Sequence, residues 1–161
     1  MKQHEIKSEK EIGGVTFYIR AFPAFTAANI SGELAAVLAP AMAGIVPLAA
    51  QRGQADVMNI DVSQFSSAMA GLSGDKVEIL LKKLLTKYGN ISIETDDGVK
   101  PLDNDLANEV FCGDVQNMFV LAFEVIRANF GGFFENLAGQ FGLQKVDIPT
   151  MMKAAQADTE N

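Results

Sequence analysis

Apolar and polar residues alternate from Val15 to Phe22 (VTFYIRAF): Val15, Phe17, Ile19 and Ala21 point one way, Thr16, Tyr18, Arg20 and Phe22 the other. That period of two predicts a strand. The polar lead-in of residues 1–12 holds a first edge strand around Glu5–Ile12, and Gly13-Gly14 closes the two into a hairpin. Pro23 then fits a first helical turn. A helix is expected from Pro23 or Ala24 to about Leu38, with Phe25, Ala28, Leu34, Val37 and Leu38 on one face. Pro40 should end or kink it. A second short helix follows over Ala41–Ala50, then a polar loop over Gln51–Asn59 and a short helix over 61–71 capped by Asp61 or Ser63.

The period is clearest in Lys76–Tyr88, opened by Ser73-Gly74-Asp75. Val77, Leu80, Leu81, Leu84, Leu85 and Tyr88 recur at 3.6-residue spacing, Glu78 and Lys82 form an i,i+4 pair, and Gly89-Asn90 stops the helix. Ile91–Thr95 alternates again. Asp96-Asp97-Gly98 signals a second hairpin whose partner, Val99–Leu102, is limited by Pro101 to a short or edge strand. Asp103 or Asp105 caps a short helix to about Phe111.

The rest departs from the usual amphipathic pattern. From Phe111 to Phe141 the chain reads FCGDVQNMFVLAFEVIRANFGGFFENLAGQF, with seven of the eleven phenylalanines, and between Asp114 and Glu135 its only charges are Glu124 and Arg127. A surface helix shows one apolar stripe and one charged face. This one is apolar almost all round: the buried centre of a domain, or in part a surface kept for another protein. Gly131-Gly132 divides it. Val115–Phe130 is expected as a central core helix, capped by Asp114. The part from Phe133 to Phe141 is the better candidate for a partner surface. The partner-binding candidates are Met118, Phe130, Phe133, Phe134, Leu137 and Phe141. The seven methionines add adaptable apolar surface.

The fold class expected is α+β and predominantly helical, with five to six helices around a central apolar helix and one or two small β-hairpins. Residues 1–142 form one domain and 143–161 a polar C-terminal tail. A chain of 161 residues buries roughly 68–70% of its unfolded surface. The net charge of −7 argues against nucleic acid, which needs Lys and Arg along its phosphates, and against anionic lipid. A lone Cys112 makes no internal disulfide, and the polar start MKQHEIKSEKEIGG has no signal-peptide pattern, which together read as cytosolic. The uncharged run Leu34–Gln51 approaches transmembrane length, but Pro40 and Pro47 interrupt it.

Candidate chemistry is sparse. His4 is the only histidine and lies near the terminus. Cys112 sits beside Asp114, which opposes a thiolate, so it reads as a packed, inert thiol. Ser73 and Lys76 match an S-x-x-K spacing, yet the serine stands where a helix cap belongs. Asp96, Asp97, Asp103 and Asp105 lack the register of a calcium loop. No nucleotide-binding fingerprint occurs. No catalytic residue, cofactor or metal site is expected.

Two blocks, FYIRAFPAFTAANISGELAAVLAPAMAG (residues 17–44) and GDVQNMFVLAFEVIRANFGGFF (residues 113–134), together resemble small tail assembly chaperones of tailed bacteriophages and prophages. The resemblance implies a non-enzymatic protein that binds the long helical tape measure protein and keeps it soluble while tail tube subunits polymerise. It implies a place in the host bacterial cytoplasm and absence from the mature virion. The tail tube protein and a second copy of the chain are further candidate partners; some family members also have a frameshifted longer form. The alternative is a structural tail or connector protein that oligomerises through the same apolar surface.

Overall fold

The structure, a computed structural model, describes residues 5–51 and 62–140, with side chains described for residues 5–39, 62, 63 and 65–132. Among the described residues the order is β1 (Ile6–Ile12), β2 (Val15–Arg20), α1 (Ala24–Gln51), α2 (Val62–Ala70), α3 (Gly74–Leu85), β3 (Ile91–Thr95), β4 (Gly98–Pro101), α4 (Asn104–Val110) and α5 (Val115–Gln140). The fold is α+β and mainly helical, with five helices and one antiparallel sheet. Asp61, residues 52–59 of the expected loop, and the expected tail lie outside the described residues.

The two hairpins do not stand apart. They join into one four-stranded sheet in the order β1-β2-β3-β4. Gly13 and Gly14 have φ of 60° and 79°, the paired positive values that a tight turn between Ile12 and Val15 needs. Gly13 has a second reason to lack a side chain: a Cβ there would sit 2.7 Å from Asn117 Nδ2 on α5. Between the hairpins the chain runs through α1, α2 and α3 before β3 returns antiparallel to β2, with Phe17 opposite Ile93 and Ile19 opposite Ile91. These four side chains are buried on the helix side of the sheet. On the other face Arg20 Nη1 donates to Ser92 Oγ at 2.6 Å, and the Tyr18 hydroxyl donates to Glu94 at 3.4 Å.

Helix α1 corrects two expectations. It continues through Pro40 and Pro47 to Gln51 rather than breaking into two helices. A mid-helix proline removes one hydrogen bond, here to the carbonyl of Ala36. Ala36 is exposed, so water can satisfy that carbonyl. The buried face is also different: Ile30, Leu34 and Leu38 are buried with Ala27 and Val37 beside them, whereas Phe25 is 94% exposed and Ala28 is exposed. No helix among the described residues is long and apolar enough to cross a membrane.

Helix α5 packs against α1, α2, α3, β1 and β2. Leu121, Ala122, Phe123, Val125 and Ile126 are buried along it, and each of these except Ala122 contributes about 1.5–3 kcal/mol when its side chain leaves water. The aromatic rings tie it to other elements. Phe123 lies 6.1 Å from Phe65 of α2, Phe119 lies 6.5 Å from Phe65, and Phe130 stacks on Phe22 at 5.9 Å. Phe111, just before α5, stacks on Phe17 of β2 at 5.8 Å. Glu124 is mostly covered and pairs with Lys10 of β1 at 3.3 Å and Arg127 at 3.1 Å. Both charges inside the apolar run therefore have a partner.

Two junctions are built from polar side chains. Asp103 Oδ1 accepts from the Leu106 N–H at 2.8 Å and caps α4; Asp114 Oδ1 accepts from Asn117 N–H at 3.3 Å at the start of α5. Asn129 has a larger role. Its Oδ1 accepts from Phe22 N–H at 2.9 Å, and its Nδ2 donates to the carbonyls of Arg20 and Val125. It thus satisfies the backbone where β2 hands over to α1. Asn129→Leu keeps the bulk but strands a donor and an acceptor; the expected loss is about 2–3 kcal/mol, read as a drop of several degrees in a thermal melt. Equal melting of Asn129→Leu and the unmodified protein removes this role.

Helical geometry is interrupted once in α5, at Phe130 (φ −127°, ψ 23°). The bend falls one residue before Gly131-Gly132, a pair that weakens helical continuity. The helical backbone then resumes to Gln140.

Candidate functional site

An open groove of about 590 Å³ lies between α2, α3, α4 and the first turns of α5. Its walls come from helical spacing. Val77, Leu81 and Leu85 of α3 line it; Val77 is partly exposed, while Leu81 and Leu85, like Leu80 and Leu84, are buried. Helix α2 contributes Met69 and Ser66, and the turn before α3 contributes Leu72. From the other side come Ala107 of α4 and then Val115, Met118 and Phe119 of α5, at i, i+3 and i+4. Asp114 and the turn at Gly113 (φ 78°) start α5 at a point that places Val115 at the mouth, where it is 53% exposed. Met118 and Phe119 are half-buried.

The polar groups of the groove are few. Glu78 and Lys82 are its only charged lining residues, and they pair with each other across one turn of α3. The hydrogen bond from Lys82, and then that ammonium's charge, hold the Glu78 carboxyl below its ordinary range. Asn104 and Asn108 of α4 and Thr86 line the rim, with the Thr86 hydroxyl hydrogen-bonded to Asn104. Ser66 Oγ is covered and has no hydrogen-bond partner. Such a lining offers apolar contact with a polar border. It does not bring together a nucleophile, a base and an orienting group.

The candidate residues are spread over different settings. Met118 lies in the groove. Phe130 is buried against Phe22. Phe133, Phe134 and Leu137 belong to the helical backbone of α5, but their side chains lie outside the described residues, as does all of Phe141. His4 is likewise outside them. Cys112 is exposed rather than packed, because it falls on the outward side of the turn between α4 and α5. Ser73 occupies the N-cap position of α3 in an extended conformation, but its side chain makes no cap bond. Among the described residues no group of His, Cys, Asp and Glu could hold a metal ion.

Most groove residues escape notice in the sequence. Val77, Leu81 and Leu85 read as one apolar stripe; Leu81 and Leu85 are buried as that stripe implies, and spacing cannot show that Val77 stays partly open. The one signal is Val115, a large apolar residue immediately after a helix cap, where a polar residue would serve the helix equally well.

Fold and groove define a mainly helical α+β protein with an open apolar cleft. A family model described as phage tail assembly chaperone protein, TAC, matches residues 13–142, most of the chain. The chain therefore belongs to the phage tail assembly chaperone family. No curated protein and no solved structure matches it.

Proposed function

We propose that this protein is a non-enzymatic assembly factor that binds the tape measure protein and holds it soluble in the host cytoplasm while the tail tube forms around it. The observation that carries the reading is the groove. It is open and apolar, with its charges already paired, on a protein whose family acts in tail assembly. A long helical client exposes apolar stripes before assembly, and an amphipathic helix laid in an apolar groove is a recurrent mode of recognition. The net charge of −7 keeps a protein with such a surface soluble. Co-expression with the tape measure protein of the same phage tests it. A soluble complex is expected, and an unchanged insoluble client with no complex overturns the reading.

Phe133, Phe134, Leu137 and Phe141 remain a second proposed contact on the sequence pattern alone. Phe133→Asp or Phe134→Asp is expected to leave the melting curve in place and to weaken client retention. Destabilisation as severe as that of a core variant would instead assign the pair to the core.

A structural role is the second reading, and one surface favours it. The outer side of α1 carries Phe25 at 94% exposure, with Ala28, Gly32 and Ala36 along the same side and no charge among them. That side could pack against a second copy or a tail subunit. Mass spectrometry of purified particles separates the two: absence from the virion fits an assembly factor, a stoichiometric copy number fits a structural part.

A further inference from the structure

We propose that this chain associates with itself head to tail, the Phe25 ring of one copy seated in the apolar groove of the next. The proposal needs only the groove and stands or falls apart from the client. Phe25 lies in the first turn of α1 with its ring 94% exposed; the next most exposed large apolar residue among those described is Val99 at 56%. The ring does nothing for the helix start, which is closed by the Pro23 carbonyl accepting from the Ala27 N–H at 2.8 Å. Covering such a ring takes about 150–250 Å² out of water. Within one chain the ring and the groove do not meet, because α1 contributes nothing to the groove lining. A second copy supplies what each surface lacks.

Charge favours this pairing over other self-contacts. Each copy carries −7, so two copies repel unless they meet on uncharged surface. From Ala21 to Gly32 there is no charged residue, and Ala24, Ala28 and Asn29 around the ring are exposed. On the other side, the only charged lining residues of the groove, Glu78 and Lys82, pair with each other. Val115 stands 53% exposed at the groove mouth, and the half-buried Met118 presents a thioether, which makes favourable contacts with aromatic rings. A knob and a pocket on different parts of one surface make a heterologous contact. Each added copy still offers one free knob or groove, so association continues past a dimer. The contact itself is small. One phenylalanine and its neighbours fall well short of the roughly 1,200 Å² of a stable pair, so the association is weak, reversible and dependent on concentration. A client that fills the groove with several anchors displaces it.

Sedimentation velocity of the full chain from about 10 μM to about 1 mM tests it. The unmodified protein is expected to sediment faster as concentration rises, past the value of a dimer. Phe25→Ser, at a solvated position, and Val115→Gln/Met118→Gln, in the groove, should each stay monomeric across the range, association falling at least tenfold. Thermal melts check that both variants fold; Val115→Gln alone, at a half-exposed residue, takes the place of the double variant if that one melts early. Mixed one to one, the two variants should form a dimer and stop there. The intact ring of the groove variant fits the intact groove of the Phe25→Ser variant, and the sites left over are both defective. Unmodified protein that stays monomeric throughout overturns the proposal. So does association that survives Phe25→Ser, or that survives in the groove variant, as a face of α1 meeting itself would give. A mixture that forms no dimer overturns it as well.

Discussion

Phe123→Asp is expected to abolish folding. Phe123 is buried in α5 with its ring 6.1 Å from Phe65, in the cluster that joins α5 to α2. Removing a buried phenylalanine side chain alone costs about 3–5 kcal/mol. Placing a carboxylate in the space adds several more, because a buried charge loses its hydration. A domain of this size is stable by about 5–15 kcal/mol in total, so the sum takes most or all of it. Far-UV circular dichroism should show loss of the cooperative thermal transition. Phe123→Leu, which shrinks the side chain but stays apolar, should keep a cooperative transition at a lower midpoint. A Phe123→Asp protein that melts cooperatively near the unmodified midpoint would place this residue outside the core and undo the packing of α5 on α2.

Local features of the fold were legible and long-range ones were not. Gly13-Gly14 between a polar edge strand and an alternating run forecast the first hairpin, and a cap at Asp103 or Asp105 announced α4, where Asp103 is the one that caps, because each depends on a few adjacent residues. The pairing of β2 with β3 joins residues more than seventy positions apart with three helices between, and no local pattern records it. For the same reason nothing local marks Asn129, which hydrogen-bonds Arg20 and Phe22 across the fold. Small residues caused the error in α1: Ala27 and Ala28 are equally apolar, so the sequence could not choose which side of the helix faces the core. Phe25 was placed on the buried face by the same ambiguity and lies on the exposed one. The groove suffered most. Apolar residues that line an open cleft and apolar residues that fill a core have the same composition and period, and only the distance to the next element separates them. Of the groove residues, Met118 alone was read beforehand as a partner contact.

Val115→Gln/Met118→Gln is expected to cost the client and spare the fold. Val115 is half out in solvent at the first turn of α5, and Met118 is half-buried one turn along. Glutamine is a good helix former, is close in size to methionine and adds no charge. The free protein should therefore lose no more than about 1–1.5 kcal/mol, mostly from Met118. In the complex the balance differs. Each carboxamide would be pressed against apolar side chains of the client without a hydrogen-bond partner, at about 1–3 kcal/mol apiece. Two such groups correspond to a fall in affinity of roughly a hundredfold, since each 1.4 kcal/mol is a factor of ten. Pull-down of the co-expressed tape measure protein and a thermal melt of the free variant measure the two sides. Loss of the client with a nearly unchanged melt is the expected pair of results. Full retention of the client by a folded variant would move its binding site away from this groove, and the outer face of α1 with Phe25 would become the surface to mutate next.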